Sequence, residues 1–127
     1  MNLEKVIFSF FMILALTLNF GFFYGEIGDA AHHNVYELFA VIVVNLIATI
    51  MKFGDKSQMG AMLLATSLVA MVQLIAASIV WVFAEHLQQT GLTPSTVSTI
   101  VALSGGAMLA NIISVILLMI EASRFER

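Results

Sequence analysis

The stretch that decides the fold is His32–Phe53, HHNVYELFAVIVVNLIATIMKF, an apolar run interrupted by a regular row of polar residues. These polar residues recur at three-, four- and eight-residue spacings, which places them on one face of an α-helix. Because polar groups are costly in hydrocarbon, we expect this face to point toward protein or water rather than lipid. The polar row consists of His33, Glu37, Asn45, Thr49 and Lys52.

The whole chain shares this apolar character. Of its 127 residues, 61% are hydrophobic and 10% are charged, whereas a soluble domain carries about 25% charged residues. Because spans of about 20 residues joined by short loops account for the whole length, we predict one domain over residues 1–127. The predicted fold is an all-α integral membrane four-helix bundle. Its spans cover approximately residues 6–24, 35–53, 61–84 and 97–120.

Composition also narrows the chemistry. The chain contains no cysteine, which excludes disulfides and thiolate metal sites. Its net charge is −3 and it has no basic cluster, so we expect no nucleic-acid partner. No nucleophile–base pair and no cofactor motif stands out, so we predict neither an enzyme nor a cofactor.

The basic residues predict the orientation. All five lie on one side of the four-span arrangement, and basic residues concentrate on the cytoplasmic side of membrane proteins. We therefore expect both termini and the second loop to be cytoplasmic. The basic residues are Lys5, Lys52, Lys56, Arg124 and Arg127.

The other side of the membrane carries an outer cluster of acids and histidines without any lysine or arginine. Negative charge there would attract cations, and the histidines would make the cluster sensitive to pH. Binding of a divalent metal such as zinc is an alternative role, although the spacing matches no metal-site signature. The simplest interpretation is a hydrated loop that caps a helix. Haem between two histidines is the least favoured. The outer cluster consists of Glu26, Asp29, His32, His33, Glu85 and His86.

Each predicted span carries one amide side chain, namely Asn19, Asn45, Gln73 and Asn111. Amides in membranes hydrogen-bond across helices for about 0.6–2 kcal/mol, so holding the bundle or an oligomer together is the simplest role. A second interpretation is a path along which neutral oxygens replace the hydration shell of a cation. On that interpretation the pore residues are Glu37, Asn45, Thr49 and Gln73.

Small residues form a seam along span 4. They stand at successive i+4 positions with an asparagine beside them, and such spacing lets two helix backbones approach closely. The sequence leaves open whether the partner is another span or another copy of the chain. Because four helices bury little interior, we expect a homo-oligomer. The seam consists of Ala102, Gly106, Ala110 and Ser114, with Asn111 beside it.

The segment NVYELFAVIVVNLIATIMKFGDKSQMGAMLLATSLVA, together with MNLEKVIF and LALTLNFGFF, resembles a family of small bacterial inner-membrane proteins of unknown function. The resemblance is strongest over spans 1 to 3. It implies a bacterial cytoplasmic membrane location and supplies no activity, ligand or catalytic residue. Small multidrug exporters share this length and span number, but they depend on a glutamate in the first span, where this chain has only Asn19.

Two functions remain open at this point. The leading hypothesis is an oligomeric cation channel or passive transporter, in which a cation or small polar solute enters an acidic periplasmic mouth. Glu37 would attract the cation, and Asn45 and Thr49 would coordinate it. The alternative is a non-catalytic accessory or scaffold subunit of a larger membrane complex. Proton coupling is disfavoured because the middle of each span lacks an ionisable residue.

Overall fold

The computed structural model describes residues 3–25, 28, 29, 31, 33–86 and 91–125. Across these residues the chain forms four α-helices and no strand, which confirms the predicted all-α fold. Each helix is long and apolar enough to cross a membrane, and the last two extend beyond their predicted spans at both ends. The helices are α1 (Leu3–Phe23), α2 (Val35–Lys52), α3 (Gln58–His86) and α4 (Pro94–Phe125).

Two helices begin at side-chain caps. Asn34 precedes α2, and its Oδ1 accepts a hydrogen bond of 2.8 Å from the N–H of Tyr36. Thr93 precedes α4, and its hydroxyl accepts a bond of 3.1 Å from the N–H of Thr96. Pro94 is then the first residue of α4, where its missing N–H costs nothing.

Glycine ends two helices, and an acidic turn begins the next. Gly25 and Gly54 follow α1 and α2 with φ of 114° and 95°, a conformation that other residues rarely adopt. In the following turn, Asp55 Oδ1 accepts bonds from the N–H and hydroxyl of Ser57. The Ser57 hydroxyl oxygen accepts from the N–H of Gly60 in the first turn of α3.

The helices form a square, up-and-down bundle. Helices α1 and α3 each pack against both α2 and α4, so α1–α3 and α2–α4 are the diagonal pairs. Large apolar side chains cover the outside of the bundle, a surface that suits lipid rather than water. Examples are Phe10, Leu46, Val72 and Ile113, which are 44–66% exposed.

The bundle has two different ends. We call the end that holds residues 3–5, 53–57 and 121–125 the terminal end, and the end that holds residues 24, 25, 33, 34 and 91–93 the loop end. An apolar core lies toward each end. The loop-end core includes Phe22, Leu38, Leu74, Trp81 and Ile100. The terminal-end core consists of Phe8, Met12, Ala48 and Leu63.

Candidate functional site

Three asparagines from three helices meet inside the bundle, and we call them the amide triad. Asn45 Nδ2 on α2 donates to Asn111 Oδ1 on α4 at 3.0 Å. Asn111 Nδ2 donates back to Asn45 Oδ1 and to Asn19 Oδ1 on α1, each at 3.1 Å. Asn19 Nδ2 donates to the carbonyl oxygen of Ser104 at 3.0 Å. All three side chains are fully buried.

The amide triad lies across the bundle axis, because Asn45 and Asn111 belong to diagonally opposite helices. In a dry interior an unpaired amide is costly, so these bonds hold α1, α2 and α4 in one register. The triad also places three neutral oxygens together, a type of ligand that replaces water around a cation. In this conformation those oxygens accept hydrogen bonds from neighbouring amides.

Two of the four predicted pore residues lie at this level. Asn45 belongs to the triad, and the Thr49 hydroxyl donates to the Asn45 carbonyl oxygen at 2.7 Å. Both side chains are buried. Thr49 therefore stays bonded within its own helix, and a cation at this level would have to take the place of an amide bond.

The other two predicted pore residues lie elsewhere. Gln73 packs between α3 and α4, where a Cβ on Gly106 would lie 2.6 Å from Gln73 Oε1. This buried oxygen has no hydrogen-bond partner within the described part of the chain. Glu37 is half-buried on α2, and its carboxylate lies against Gly21 of α1. The four residues thus occupy three separate contacts, and the path through them stays a prediction.

The small-residue seam packs against α3 of the same chain. Gly106 lies against an α3 glutamine, and the Ser114 hydroxyl lies 2.5 Å from that of Thr66 on α3. Ala110 is buried in this contact, whereas Ala102 is exposed. The structure therefore supplies an internal partner for most of a seam whose partner the sequence left open.

The described acids and histidines of the outer cluster hold local structure at the loop end. The buried His33 places Nδ1 2.6 Å from the carbonyl oxygen of Phe22 at the end of α1. Glu85 Oε2 accepts a bond of 2.7 Å from the Trp81 indole. Asp29 Oδ1 accepts from a backbone N–H two residues later.

Of the remaining members of the outer cluster, only His86 is described. His86 is exposed at the end of α3, and Glu26 and His32 lie outside the described residues. Among the residues that are described, no three His, Cys, Asp or Glu side chains converge as metal ligands would. The metal alternative therefore gains no support from the described members.

The terminal end holds a cavity of about 540 Å³, which we call the vestibule. All four helices contribute to its wall, so it lies at the end of the bundle axis. Its lining combines three basic and three acidic residues with a few apolar ones, and Phe8 belongs both to this lining and to the terminal-end core. The lining residues are Glu4, Lys5, Phe8, Met51, Lys52, Asp55, Ser57, Gln58, Met59, Glu121 and Arg124.

Ion pairs organise the charges of the vestibule. Lys5 Nζ lies 3.8 Å from Glu121 Oε1, and Lys52 Nζ lies 3.5 Å from Asp55 Oδ2. Lys52 Nζ also lies 4.2 Å from the centre of the Phe8 ring, a cation–π distance. Hydrogen bonds from Ser57 lower the pKa of Asp55 below its ordinary value, and the nearby Lys52 charge lowers it further.

The sequence did not predict the vestibule, although it grouped the basic residues on one side of the membrane. The lining residues come from three separate regions of the chain, positions 4–8, 51–59 and 121–124. Only the packing of four helix ends brings them together. The available signal was the position of Glu4, Asp55 and Glu121 beside or near those basic residues.

Comparison with known proteins gives one match. The model of a family described as "Family of unknown function (DUF6394)" matches residues 32–122. This range includes two members of the amide triad, Asn45 and Asn111, and the vestibule lining except Arg124 and the residues of α1. No curated protein and no solved structure matches the chain.

Proposed function

We propose a function from the premise that this chain belongs to the family of unknown function DUF6394, in agreement with the resemblance seen in the sequence. The protein is a multi-pass protein of the bacterial cytoplasmic membrane with both termini in the cytoplasm. It moves a small charged or polar solute passively along the bundle axis, without catalysis. The solute enters or leaves the cytoplasm through the vestibule.

The vestibule is the observation that carries this proposal. Its volume of about 540 Å³ lies within the range of about 300–1,000 Å³ that small-molecule sites occupy. It lies at the end of the axis that the amide triad crosses. The terminal-end core, which includes Met12, Ala48 and Leu63, lies between the vestibule and the interior. A polar entrance therefore lies in line with a polar interior.

Charge supports the cytoplasmic placement of the vestibule. The described basic residues Lys5, Lys52, Lys56 and Arg124 all lie at the terminal end, and basic residues favour the cytoplasmic side. The loop end then faces the periplasm. Its described acids Asp29, Glu37 and Glu85 would form the outer mouth of the path.

Conduction requires a state that is more open than the one described here. The triad bonds would have to exchange amide partners for solute, and each such bond in a membrane is worth about 0.6–2 kcal/mol. Opening therefore costs a few kcal/mol, which corresponds to a minor state of about 0.1–10%. This path lies within one chain, so the expected homo-oligomer is a separate proposal that transport does not need.

A flux measurement tests the path. Ala48→Leu adds bulk to the terminal-end core, and Ala102→Leu makes the same change on an exposed surface of α4. We expect tracer uptake of K⁺, Na⁺ or a neutral amino acid into proteoliposomes to exceed that of protein-free liposomes. Ala48→Leu should lower it about tenfold or more, and Ala102→Leu should leave it unchanged.

Equal flux in both leucine variants, with both proteins folded by size-exclusion chromatography, would exclude a path past Ala48. Absence of flux for every solute would instead favour the second function, an accessory or scaffold subunit. The closure of the amide triad favours that alternative, because each of its three amides is bonded within one chain. Native mass spectrometry from mild detergent, which would then show a partner protein, tests it directly.

A further inference from the structure

Among the described lining residues, the vestibule presents positive and negative charges in equal number, whereas a simple ion needs only one sign of charge. Its three basic residues are Lys5, Lys52 and Arg124, and three acidic residues balance them. We infer that the vestibule binds a small zwitterion in which an anionic oxygen group and a primary ammonium stand a few bonds apart. This inference rests on the vestibule of the proposed function and names the class of solute that occupies it.

Arg124 is the group that would bind the anionic end. It lines the vestibule, and no ion pair engages it within the described ranges. A guanidinium presents a planar pair of donors that matches a carboxylate or phosphate. Lys52 is less available, because it is mostly buried and already lies beside Asp55 and the Phe8 ring.

Glu121 is the group that would bind the ammonium end. It lies three residues before Arg124, so the two side chains share one face of α4 with Cβ atoms about 5–6 Å apart. Its present partner Lys5 is half exposed and its Nζ lies 3.8 Å from Glu121 Oε1, which is longer than a hydrogen bond, so the contact between the two is weak. A ligand ammonium can therefore replace the Lys5 ammonium at little cost.

The spacing of these two groups restricts the ligand. Charges that must reach neighbouring positions on one helix face fit a compact zwitterion, such as an α-amino acid or a phosphoethanolamine group. A primary ammonium donates hydrogen bonds to Glu121, whereas a quaternary ammonium has no N–H to donate. Among the described lining residues the only aromatic ring is Phe8, whose face already carries Lys52, so these residues form no open aromatic cage for a quaternary ammonium.

Two sources offer this chemistry: a free solute in the cytoplasm and the headgroup of a phosphatidylethanolamine lipid. Two arms of one experiment separate them. In the first arm, the full-length protein in phosphatidylcholine nanodiscs is titrated with soluble phosphoethanolamine and glycine, and with phosphocholine, inorganic phosphate and ethylamine as comparators. In the second arm, native mass spectrometry counts the lipids retained from nanodiscs that contain equal phosphatidylethanolamine and phosphatidylcholine.

We expect a primary-amine zwitterion to bind about tenfold or more tightly than any comparator, or phosphatidylethanolamine to be retained over phosphatidylcholine. Binding in the first arm identifies a free solute, and retention in the second alone identifies a lipid headgroup. Arg124→Gln and Glu121→Gln should each weaken binding about tenfold. Lys56→Gln is the matched control, because Lys56 lies at the same end outside the lining.

Three results would overturn the inference: no preference in either arm, equal binding of inorganic phosphate or ethylamine, or unchanged binding in both Arg124→Gln and Glu121→Gln. Equilibrium binding also separates this inference from the transport proposal. Preferential binding that both variants weaken, without flux in proteoliposomes, would support the zwitterion site and remove the transport function. Flux without any preference for a zwitterion would support the transport function and remove the zwitterion site.

Discussion

The two ends of this bundle differ in how the space between the helices is occupied. At the loop end, Phe22, Leu38 and Trp81 fill the space between the helices, and the polar side chains nearby bond to backbone or indole. At the terminal end the helices leave a cavity, and charged side chains line it. Within the described part of the chain, a recess of ligand size therefore lies at the terminal end, whereas apolar side chains fill the core toward the loop end.

Loss of packing should lower the free energy of unfolding most at the loop end. Phe22→Ala removes a fully buried ring that contacts both His33 and Trp81. We expect it to lower the free energy of unfolding by about 3 kcal/mol, measured by denaturant titration in mixed micelles. Phe8→Ala should cost about half as much, because one side of this site opens into the vestibule.

Phe20→Ala is the control for both phenylalanine variants, since Phe20 lies on the same helix and is 53% exposed. We expect little change from it, because lipid or detergent replaces the lost contacts. A cost for Phe8→Ala as large as that for Phe22→Ala would contradict the difference between the two ends.

The amide triad divides the two ends, and its loss is the next largest effect. Asn111→Ala leaves Asn19 and Asn45 without the partner that both share. Because buried amides without partners are costly, we expect a loss of about 2 kcal/mol in the free energy of unfolding. Thr17→Ala is the control, because its exposed hydroxyl bonds only to its own helix.

A double-mutant cycle of Asn45→Ala and Asn111→Ala sharpens this test. The two changes should be strongly non-additive, because they break the same pair of hydrogen bonds. If the two losses in the free energy of unfolding simply added, the amides would not act as one unit between the loop end and the terminal end.

The sequence predicted much of the fold because several helix boundaries have a local cause. Asn34 and Thr93 cap their helices, Gly54 follows the end of α2, and apolar runs of sufficient length define the spans. The four amides were also visible as a set. Their pairing was not, because a single asparagine in each span carries no information about which helices face one another.

The site was harder to predict for the same physical reason. Gln73 is the single amide of its span, as each asparagine is of its own. Its Oε1 nevertheless lies beside Gly106 without a hydrogen-bond partner in the described structure. The vestibule depends on helix ends that are more than 100 residues apart in the chain, such as Lys5 and Glu121. Local spacing cannot reveal a cavity that only the packing of four helices creates.

Gln73 tests the polar interior through a change in stability that should be smaller than that of the triad and opposite in sign. Gln73→Met keeps the length of the side chain and removes the buried oxygen that lacks a partner in the described structure. We expect the free energy of unfolding to stay unchanged or to rise by up to about 1 kcal/mol, in contrast to the loss from the triad. A loss as large as that of Asn111→Ala would show that the Gln73 oxygen has a partner after all, for example a bound water.

The smallest expected change in stability is at the terminal end, where water screens the charges. Asp55 accepts hydrogen bonds from Ser57 and lies near Lys52, and its pKa is lowered in the folded protein. A lowered carboxyl pKa stabilises the fold above the unfolded pKa, and this contribution is lost as the pH falls through the folded pKa. Because Asp55 is exposed, we expect only about 0.5 kcal/mol.

Asp55→Asn tests this contribution through its dependence on pH. The variant should be less stable than the parent at pH 7. The difference should shrink only below the ordinary carboxyl pKa of about 3.9, as the pH falls through the lowered pKa of Asp55 in the folded protein. Unfolding titrations at pH 7, 5, 3 and 2 measure it, and a difference that did not shrink between pH 5 and pH 2 would mean that Asp55 acts through its shape rather than its charge. High salt should reduce the difference at pH 7 as well, because a charge that the vestibule leaves in contact with water is screened, whereas the buried triad is not.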